Sequence, residues 1–355
     1  MGTKKRATAK RESHKKSFKK HLAITLSAFG IALVIMYVSF QVSPGPGALV
    51  IRSVFNKGGH KTLQAMKAVL PDYPVAVLSN QQYRAHDKDA LLDVYMPNSA
   101  LKPGATLPAV IWTHGGGWLS GNKTDDAPYF KWLADQGFVV IAPNYSLAPG
   151  KKYPTQIHQL NDAHAYIEAN AAQYHVDTHK IILAGDSAGA QLSSQMAALI
   201  TNPGYAHEVG VQPALQPSQL RGVVLFCGIY KMKDLAEPAP SLPKIIDWGD
   251  NTTVWAYSGT RDDASPVIRQ MSTYYHVTKA FPATFISGGN ADPLTDSQSV
   301  PFAQELQSLG VNVTSLFYPA DHEPKLPHEY QFTIDRDGRE AFTQMTQFLK
   351  SATGR

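Results

Sequence analysis

Short apolar runs that alternate with helical stretches constrain the fold of this chain more than any other feature of its sequence. Their length and composition are typical of buried strands. The runs are Leu91–Tyr95, Ala109–Thr113, Val139–Pro143, Ile181–Ala184, Val223–Cys227, Thr284–Ser287 and Val313–Tyr318. The helical stretches are Ala127–Gln136, Pro154–Gln173, Ala188–Ile200, Ser297–Leu309 and Arg339–Leu349. This alternation predicts one α/β domain over residues 81–352, with a mostly parallel central sheet and helices on both faces.

Residues 231–282 interrupt this alternation. They contain Pro238, Pro240 and Pro243 together with several aromatic side chains, Trp248 among them. An insertion of this kind after a strand can form a cap over a site at the strand ends. A packed surface excursion is the alternative, and the sequence leaves both open.

The N-terminal part of the chain contains a long uncharged segment. No charged side chain occurs from Leu22 to Ile51, and the most apolar part is Leu22–Val42. About 20 apolar residues span a bilayer as a helix, whereas the apolar core of a signal peptide has about 7–15. We therefore expect a transmembrane signal anchor over residues 22–42, followed by a juxtamembrane segment over 43–80 that is helical over 48–80. A cleaved signal peptide and a buried core helix are the alternatives.

The positive charge of the chain is concentrated before this segment. Residues 1–21 hold nine lysine and arginine side chains against one acidic residue, Glu12. Because this tail carries +8 and the whole chain +5, the remaining residues carry −3. The positive-inside rule predicts a cytoplasmic tail over 1–21 and a domain on the opposite, periplasmic or extracellular side, with membrane lipid as a partner of the helix. The acidic body gives no reason to expect a nucleic-acid partner.

The chain contains a single cysteine, Cys227. An intrachain disulfide is therefore excluded, and so is a metal site built on paired cysteines. Cysteine usage does not indicate the redox compartment.

A nucleophile motif, Gly-x-Ser-x-Gly, occupies residues 185–189. It follows the strand-like Ile181–Ala184 and precedes the helical Ala188–Ile200, the context of a nucleophile elbow. Such a sharp turn brings backbones close together, so the flanking residues must be small. The helix N-terminus also favours developing negative charge. We expect Ser187 to be a nucleophile and the backbone amide of Ala188 to be an oxyanion-hole donor.

A triple-glycine loop, His114-Gly115-Gly116-Gly117, directly follows the strand Ala109–Thr113. Three glycines in succession have a high entropic cost, which points to a structural requirement. Without Cβ atoms, such a loop can turn its amides toward a substrate oxygen. We expect the backbone amides of Gly116 and Gly117 to complete the oxyanion hole.

In this kind of site the serine comes first along the chain, the acid (Asp or Glu) second and the histidine third. The acid that orients the catalytic base should therefore follow a strand later than the one before Ser187. Asp292 follows Thr284–Ser287 in a turn that ends at Pro293. Asp296 competes, but it stands directly before a predicted helix, where an N-cap role explains it. Asp292 is the predicted acid.

The base should lie between the last strand and the last helix. Two histidines meet this condition, His322 and His328. His322 is nearer the strand, and His328 is nearer the helix in a His-x-x-x-Phe context. His328 is the favoured base, with His322 as the alternative.

Taken in order, these motifs resemble the hormone-sensitive-lipase-like carboxylesterases over roughly residues 80–350. The resemblance rests on HGGGW at 114–118, YSLAP at 145–149, GDSAG at 185–189, Asp292-Pro293-Leu294 and a late histidine. It implies an α/β-hydrolase fold, no metal or organic cofactor, and hydrolysis of short to medium acyl esters. A catalytically silent membrane-anchored binding protein, an amidase and an acyltransferase are the alternatives on the same fold.

Overall fold

The computed structural model describes residues 2–102, 104–236 and 243–355. It divides into two compact units, one ending at Gly47 and the other spanning Ala48–Arg355. The larger unit contains an eight-stranded sheet in the order β1-β2-β4-β3-β5-β6-β7-β8. Its strands are β1 (Val75–Gln82), β2 (Leu91–Pro97), β3 (Leu107–Thr113), β4 (Val139–Pro143), β5 (Val176–Asp186), β6 (Leu220–Phe226), β7 (Thr284–Gly288) and β8 (Val313–Phe317). β2 pairs antiparallel with β1 and β4, and all other pairs are parallel.

Helices account for most of the remaining described chain. They are α1 (Gly2–Val42), α2 (Gly45–Val69), α3 (Ala127–Asp135), α4 (Thr155–Ala169), α5 (Ala188–Thr201), α6 (Pro203–Val209), α7 (Met232–Ala236), α8 (Lys244–Ser258), α9 (Pro266–Met271), α10 (Val300–Ser308) and α11 (Arg336–Thr353).

Two hydrophobic cores lie on the two faces of the sheet. Along β3, Ala109 and Ile111 belong to one core, whereas Val110 and Trp112 belong to the other. This follows from the two-residue period of a strand, which sends successive side chains to opposite faces. Residues of α4, α5 and α10 join the first core, and residues of α3 and α11 join the second. The predicted mostly parallel sheet with helices on both faces is confirmed.

The segment before β2 differs from its prediction. We expected helix over 48–80, but α2 ends at Val69 and β1 begins at Val75. β1 lies at the edge of the sheet, where it pairs only with β2 among the described residues. Most of its side chains are partly or fully exposed. A half-exposed edge strand lacks the continuous apolar run that marks a buried strand. The sequence of β1, VAVLSNQQ, therefore did not indicate a strand.

The smaller unit consists mainly of α1. Its part Ser17–Val42 is long and apolar enough to cross a membrane, and its side chains are exposed. An N-terminal signal sequence meets the same criteria of length and composition. The anchor over 22–42 therefore stays a prediction.

The irregular stretch after β6 contains α7, α8 and α9. The inner face of α8 buries Thr252, Thr253, Val254 and Tyr257. Pro238 and Pro240, two of the prolines of this stretch, lie outside the described residues.

Candidate active site

Ser187 stands at a sharp turn between β5 and α5. Its φ is +51°, a left-handed conformation that side chains other than glycine rarely adopt. Two flanking glycines permit the turn. A Cβ at Gly185 would clash with the backbone of Gly189, and one at Gly189 would overlap the carbonyl oxygen of Thr113 in β3. The strained serine and the close approach of two backbones are the features of a nucleophile elbow.

Three of the predicted site residues form one hydrogen-bonded line. His328 Nε2 lies 3.0 Å from Ser187 Oγ, and His328 Nδ1 lies 2.8 Å from Asp292 Oδ2. Asp292 follows β7, and His328 lies in the loop between β8 and α11. The carboxylate of Asp292 is buried and also accepts the backbone amide of Leu294 at 3.0 Å. This second bond fixes the carboxylate in the orientation that meets the imidazole.

Backbone contacts hold the histidine loop against the end of β7. The side chain of Asn290 accepts the Leu326 amide at 2.9 Å, and the Ala291 amide donates to the carbonyl of Leu326 at 2.9 Å. The same Asn290 donates to the carbonyl of His322 at 3.0 Å. These bonds bring residue 328 beside the turn that carries Asp292.

The two competing candidates lie elsewhere. His322 pairs with Asp337, with Nε2 at 3.3 Å from the carboxylate. Asp296 is exposed, and it lies inside a π-helical turn, Thr295–Ser299, that precedes α10. Because the helical conformation begins before Asp296, the N-cap interpretation of this residue was wrong.

The charges around His328 favour its protonated form. Burial lowers its pKa, but the adjacent carboxylate of Asp292 outweighs burial, with help from Glu329 and Asp186, and the pKa rises to about 9. The site is thus built to stabilise an imidazolium, the species that a general base becomes when it accepts a proton.

The peptide planes of the glycine loop are oriented by hydrogen bonds to their carbonyl groups. The carbonyl of Gly116 accepts the amide and the hydroxyl of Ser120, at 3.0 and 2.8 Å. The carbonyl of Gly115 accepts the ring of His114 at 2.8 Å. In a trans peptide the following amide points the opposite way. The amides of Gly117 and Gly116 therefore point away from these partners.

Sequence reasoning missed the residues that support this loop. The hydroxyl of Tyr145 donates to the carbonyls of His114 and Gly115, at 3.0 and 3.3 Å. Its ring stacks on the imidazole of His114 at 4.3 Å. Burial lowers the pKa of His114 to about 4, so its ring is neutral at pH 7. The YSLAP motif could have indicated Tyr145, because this tyrosine follows β4, which ends at the same edge of the sheet as β3, the strand before the glycine loop.

Two helices meet over Gly117. One of them, α8, lies in the stretch that the sequence offered as a possible cap, whereas α2 was not linked to the site from sequence. A Cβ at Gly117 would lie 3.0 Å from the ring of Phe55 in α2 and 3.3 Å from the methyl group of Thr253 in α8. The φ of Gly117 is +59°. Glycine at this position thus serves both the turn and the close approach of its neighbours.

A group of acidic side chains lies behind the line of three residues. Burial raises the pKa of Asp186 to about 8, and the neighbouring charge of Glu329 adds to this shift. Trp112 donates its indole N–H to Asp186 at 2.8 Å. Glu329 has a φ of +58°, and its carboxylate lies 3.8 Å from Nε2 of His328. Sequence reasoning assigned no role to either acidic residue.

Cys227, Asp292 and His328 place three potential metal ligands within 4.8 Å of one another. Burial raises the pKa of the Cys227 thiol well above its usual value. A thiol that keeps its proton is a poor metal ligand. Cys227 instead accepts the amide of Glu329 at 3.3 Å, and thereby helps to hold the histidine loop.

Comparison with known families identifies the chain. The family model described as BD-FAE matches residues 92–306, more than half of the chain. The chain belongs to the BD-FAE family. This BD-FAE member is 26% identical over 267 residues to an esterase of Gibberella moniliformis, covering 72% of this chain and 79% of that protein. It is 30% identical over 233 residues to carboxylesterase NlhH of Mycobacterium tuberculosis, covering 63% and 66%.

The fold of this BD-FAE member is shared with solved esterases. The structure of esterase B from Lactobacillus Rhamnosis (HN001) aligns with a TM-score of 0.75 at 22% identity, covering 87% of this chain and 96% of that chain. The predicted α/β-hydrolase fold and the resemblance to α/β-hydrolase carboxylesterases are confirmed. The relatives support carboxylic ester hydrolysis as the activity of this family member.

Proposed function

We propose that this protein is a serine hydrolase that cleaves carboxylic esters of short to medium acyl chains through an acyl-enzyme on Ser187. The observation that carries the proposal is the hydrogen-bonded line from Ser187 through His328 to Asp292. An imidazole between a hydroxyl and a buried carboxylate is the arrangement that activates a serine nucleophile.

In the acylation step, Ser187 Oγ attacks the ester carbonyl carbon while its proton passes to Nε2 of His328. Asp292 holds the imidazole in the tautomer with a proton on Nδ1 and stabilises the imidazolium that forms. The tetrahedral intermediate then collapses, the bond to the alcohol oxygen breaks, and His328 returns its proton to the leaving alcohol. Ser187 is left as an acyl ester.

In the deacylation step, water attacks the acyl ester while His328 Nε2 takes a proton from it. The second tetrahedral intermediate collapses, the carboxylic acid leaves, and the proton returns to Ser187 Oγ. One ester and one water thus give one acid and one alcohol.

The negative charge on both intermediates is stabilised by the amides of Gly116, Gly117 and Ala188. The two loop amides point away from Ser120 and His114, and Ala188 is the first residue of α5, where amides lack helical partners. One such donor typically contributes about 2.7–4 kcal/mol at the transition state.

The catalytic domain is proposed to span residues 81–352, with the stretch 231–282 as a cap. Support for the cap comes from Thr253 of α8, which packs against the loop glycine Gly117. We further propose that residues 22–42 are a retained signal anchor, with the basic tail 1–21 in the cytoplasm and the catalytic domain in the periplasm or outside the cell. The segment 43–80 connects the anchor to the domain.

Turnover of p-nitrophenyl acetate and butyrate tests the proposed function. We expect Ser187→Ala to lower kcat by about 10⁴- to 10⁶-fold. Ser308→Ala, at an exposed serine of α10, is the matched control and should leave turnover unchanged. Undiminished turnover in Ser187→Ala would rule out the mechanism.

Labelling by a fluorophosphonate probe separates the proposal from a silent binding protein, because only an activated serine reacts. Matched ester and amide substrates then distinguish an esterase from an amidase. Addition of an acceptor alcohol distinguishes hydrolysis from acyl transfer.

A further inference from the structure

The helix α2 is fixed on the catalytic unit by one of its faces. Ala48, Ile51 and Met66 are buried in the hydrophobic cores. Arg52 donates its guanidinium to the carbonyls of Leu119 and, at 2.7 Å, of Ala148. These contacts set the rotation of α2 about its own axis, and so determine which side chains face outward.

The outward face of α2 begins with large apolar side chains. Leu49 is 63% exposed, Val50 49% and Val54 61%. On a helix in contact with water alone, such a face would carry polar residues. Exposed apolar side chains that are contiguous mark a surface for a partner or a membrane.

Cationic side chains follow on the same face. Val50, Val54, Lys57 and Lys61 follow the i, i+4, i+7, i+11 spacing, so they form one stripe along the helix. His60 lies next to this stripe, and with Leu49 and Lys57 it lines a shallow groove. Helices that bind the surface of an anionic bilayer combine apolar side chains, which enter the acyl boundary, with lysine or arginine side chains, which bind the headgroups. On α2 the two kinds follow one another along a single face.

The chain order supports a bilayer as the partner. The apolar helical segment Ser17–Val42 ends seven positions before Leu49. Seven extended residues span at most about 25 Å. If the segment crosses a membrane as proposed, the apolar start of α2 is held within this distance of its surface.

The geometry points to the outward face of α2 as a membrane-surface docking site. We propose that Leu49, Val50 and Val54 insert at the boundary between headgroups and acyl chains, while Lys57 and Lys61 bind the anionic headgroups. This site is separate from the membrane-crossing segment, and it orients the catalytic unit on the bilayer.

Docking through α2 has a consequence for the substrate that rests on the proposed function. The helix α2 also carries Phe55, whose ring contacts Gly117 of the oxyanion loop. The other helix at this glycine, α8, exposes Ile245 and Ile246 at 66% and 44%. Both helices that border the loop therefore present apolar side chains. The docked site receives esters dissolved in the lipid layer.

The depth of α2 in the bilayer is measurable in the full chain reconstituted into vesicles of phosphatidylcholine and phosphatidylglycerol. Val54→Cys is labelled with an environment-sensitive fluorophore, since the native Cys227 is buried. We expect a blue-shifted emission, quenching by nitroxide-labelled lipids and protection from iodide. The control Ser308→Cys, on the exposed side of α10, should remain open to iodide. Equal iodide quenching at both positions would overturn the proposal.

The charge of the lipid provides the second test. The double variant Lys57→Glu, Lys61→Glu should lose nitroxide quenching of the Val54→Cys label on anionic vesicles. The matched double variant Lys88→Glu, Lys279→Glu, at exposed lysines outside α2, should keep it. Loss of quenching in both variants would show a nonspecific effect of charge and would contradict the role of α2.

Activity separates the docking site from the proposed chemistry. Leu49→Ser with Val54→Ser should raise KM for an ester dissolved in the vesicles and leave kcat/KM for soluble p-nitrophenyl acetate unchanged. An equal loss on both substrates would contradict a docking role. A wild-type protein inactive on both, with a protected label at position 54, would disprove the proposed function and leave the docking site standing.

Discussion

Two histidines in the segment between β8 and α11 each pair with a buried aspartate, but their other neighbours differ. His328 pairs with Asp292 and His322 pairs with Asp337, and both carboxylates are buried. The second ring nitrogen of His328 lies 3.0 Å from the hydroxyl of Ser187. The ring of His322 instead lies beside Tyr318.

The charges near the two carboxylates also differ. Asp337 accepts Nε and Nη2 of Arg336 at 3.0 and 2.9 Å, so His322 only supplements an existing ion pair. No arginine or lysine pairs with Asp292 in the part of the chain that the structure describes. The negative charge of Asp292 is therefore available to stabilise a protonated His328. A histidine paired with a buried carboxylate acts as a catalytic base where a nucleophile meets its other ring nitrogen and no other cation neutralises the acid.

The largest expected effect comes from removing each imidazole in turn. His328→Ala should lower kcat/KM by about 10⁴- to 10⁶-fold, because Ser187 loses its proton acceptor. His322→Ala should leave kcat/KM within about twofold, as expected of a substitution away from the reacting atoms. Steady-state kinetics on p-nitrophenyl butyrate measures both. The reverse order of effects would make His322 the base and contradict the comparison.

Much of this site follows from local sequence patterns, and the remainder depends on tertiary contacts. The serine and the acid could be placed because Ser187 directly follows β5 and Asp292 lies in the turn after β7, and parallel strands end at one edge of the sheet. The choice between the two histidines could not be settled from sequence. It depends on how Asn290 and Leu326 tie the loop to the end of β7.

The features that the sequence did not indicate were missed for different physical reasons. Phe55 reaches Gly117 only because α2 folds back onto the domain. Glu329 faces His328 through a left-handed backbone conformation that no propensity indicates for glutamate. In the fold, β1 was missed because an edge strand with exposed polar side chains lacks the pattern of a buried one.

Substituting the two carboxylates sharpens the comparison. Asp292→Asn should lower kcat about 10⁴-fold, because an amide neither holds the required tautomer nor stabilises the imidazolium. Asp337→Asn should keep kcat but reduce the free energy of unfolding by about 1–3 kcal/mol, since it weakens buried charged hydrogen bonds. Kinetics and urea denaturation of both variants distinguish the two roles. A kcat loss of similar size in Asp337→Asn would show that the pairs are not functionally distinct.

The pH dependence of activity tests the charges that face His328. Ester cleavage needs the neutral imidazole, and the pKa of His328 is raised to about 9, so kcat/KM should increase with pH up to that region. The negative charge of Glu329 contributes to the raised pKa. Glu329→Gln should therefore lower the pKa and move the acid limb of the profile to lower pH.

A matched control for this shift lies in the same loop. Glu323 is exposed and pairs with Lys325, so Glu323→Gln should leave the acid limb unchanged. A shift in both variants would indicate a general effect of net charge. No shift in Glu329→Gln would remove Glu329 from the groups that set the pKa of the base.

The smallest effect concerns stability at the His322 pair. The side-chain hydrogen bonds from Arg336 lower the pKa of Asp337 in the folded state. A carboxylate with a lowered pKa stabilises the fold above its unfolded pKa, near 4, and this contribution is lost as pH falls through the folded value. Because Arg336 is largely exposed, Arg336→Gln should lower the free energy of unfolding only slightly at neutral pH. The difference between Arg336→Gln and wild type in urea denaturation should shrink below about pH 4.

The control is the same substitution in an Asp337→Asn background, where it should have no pH-dependent effect on the free energy of unfolding. A difference between Arg336→Gln and wild type that grows as the pH falls would contradict a purely structural role for this pair.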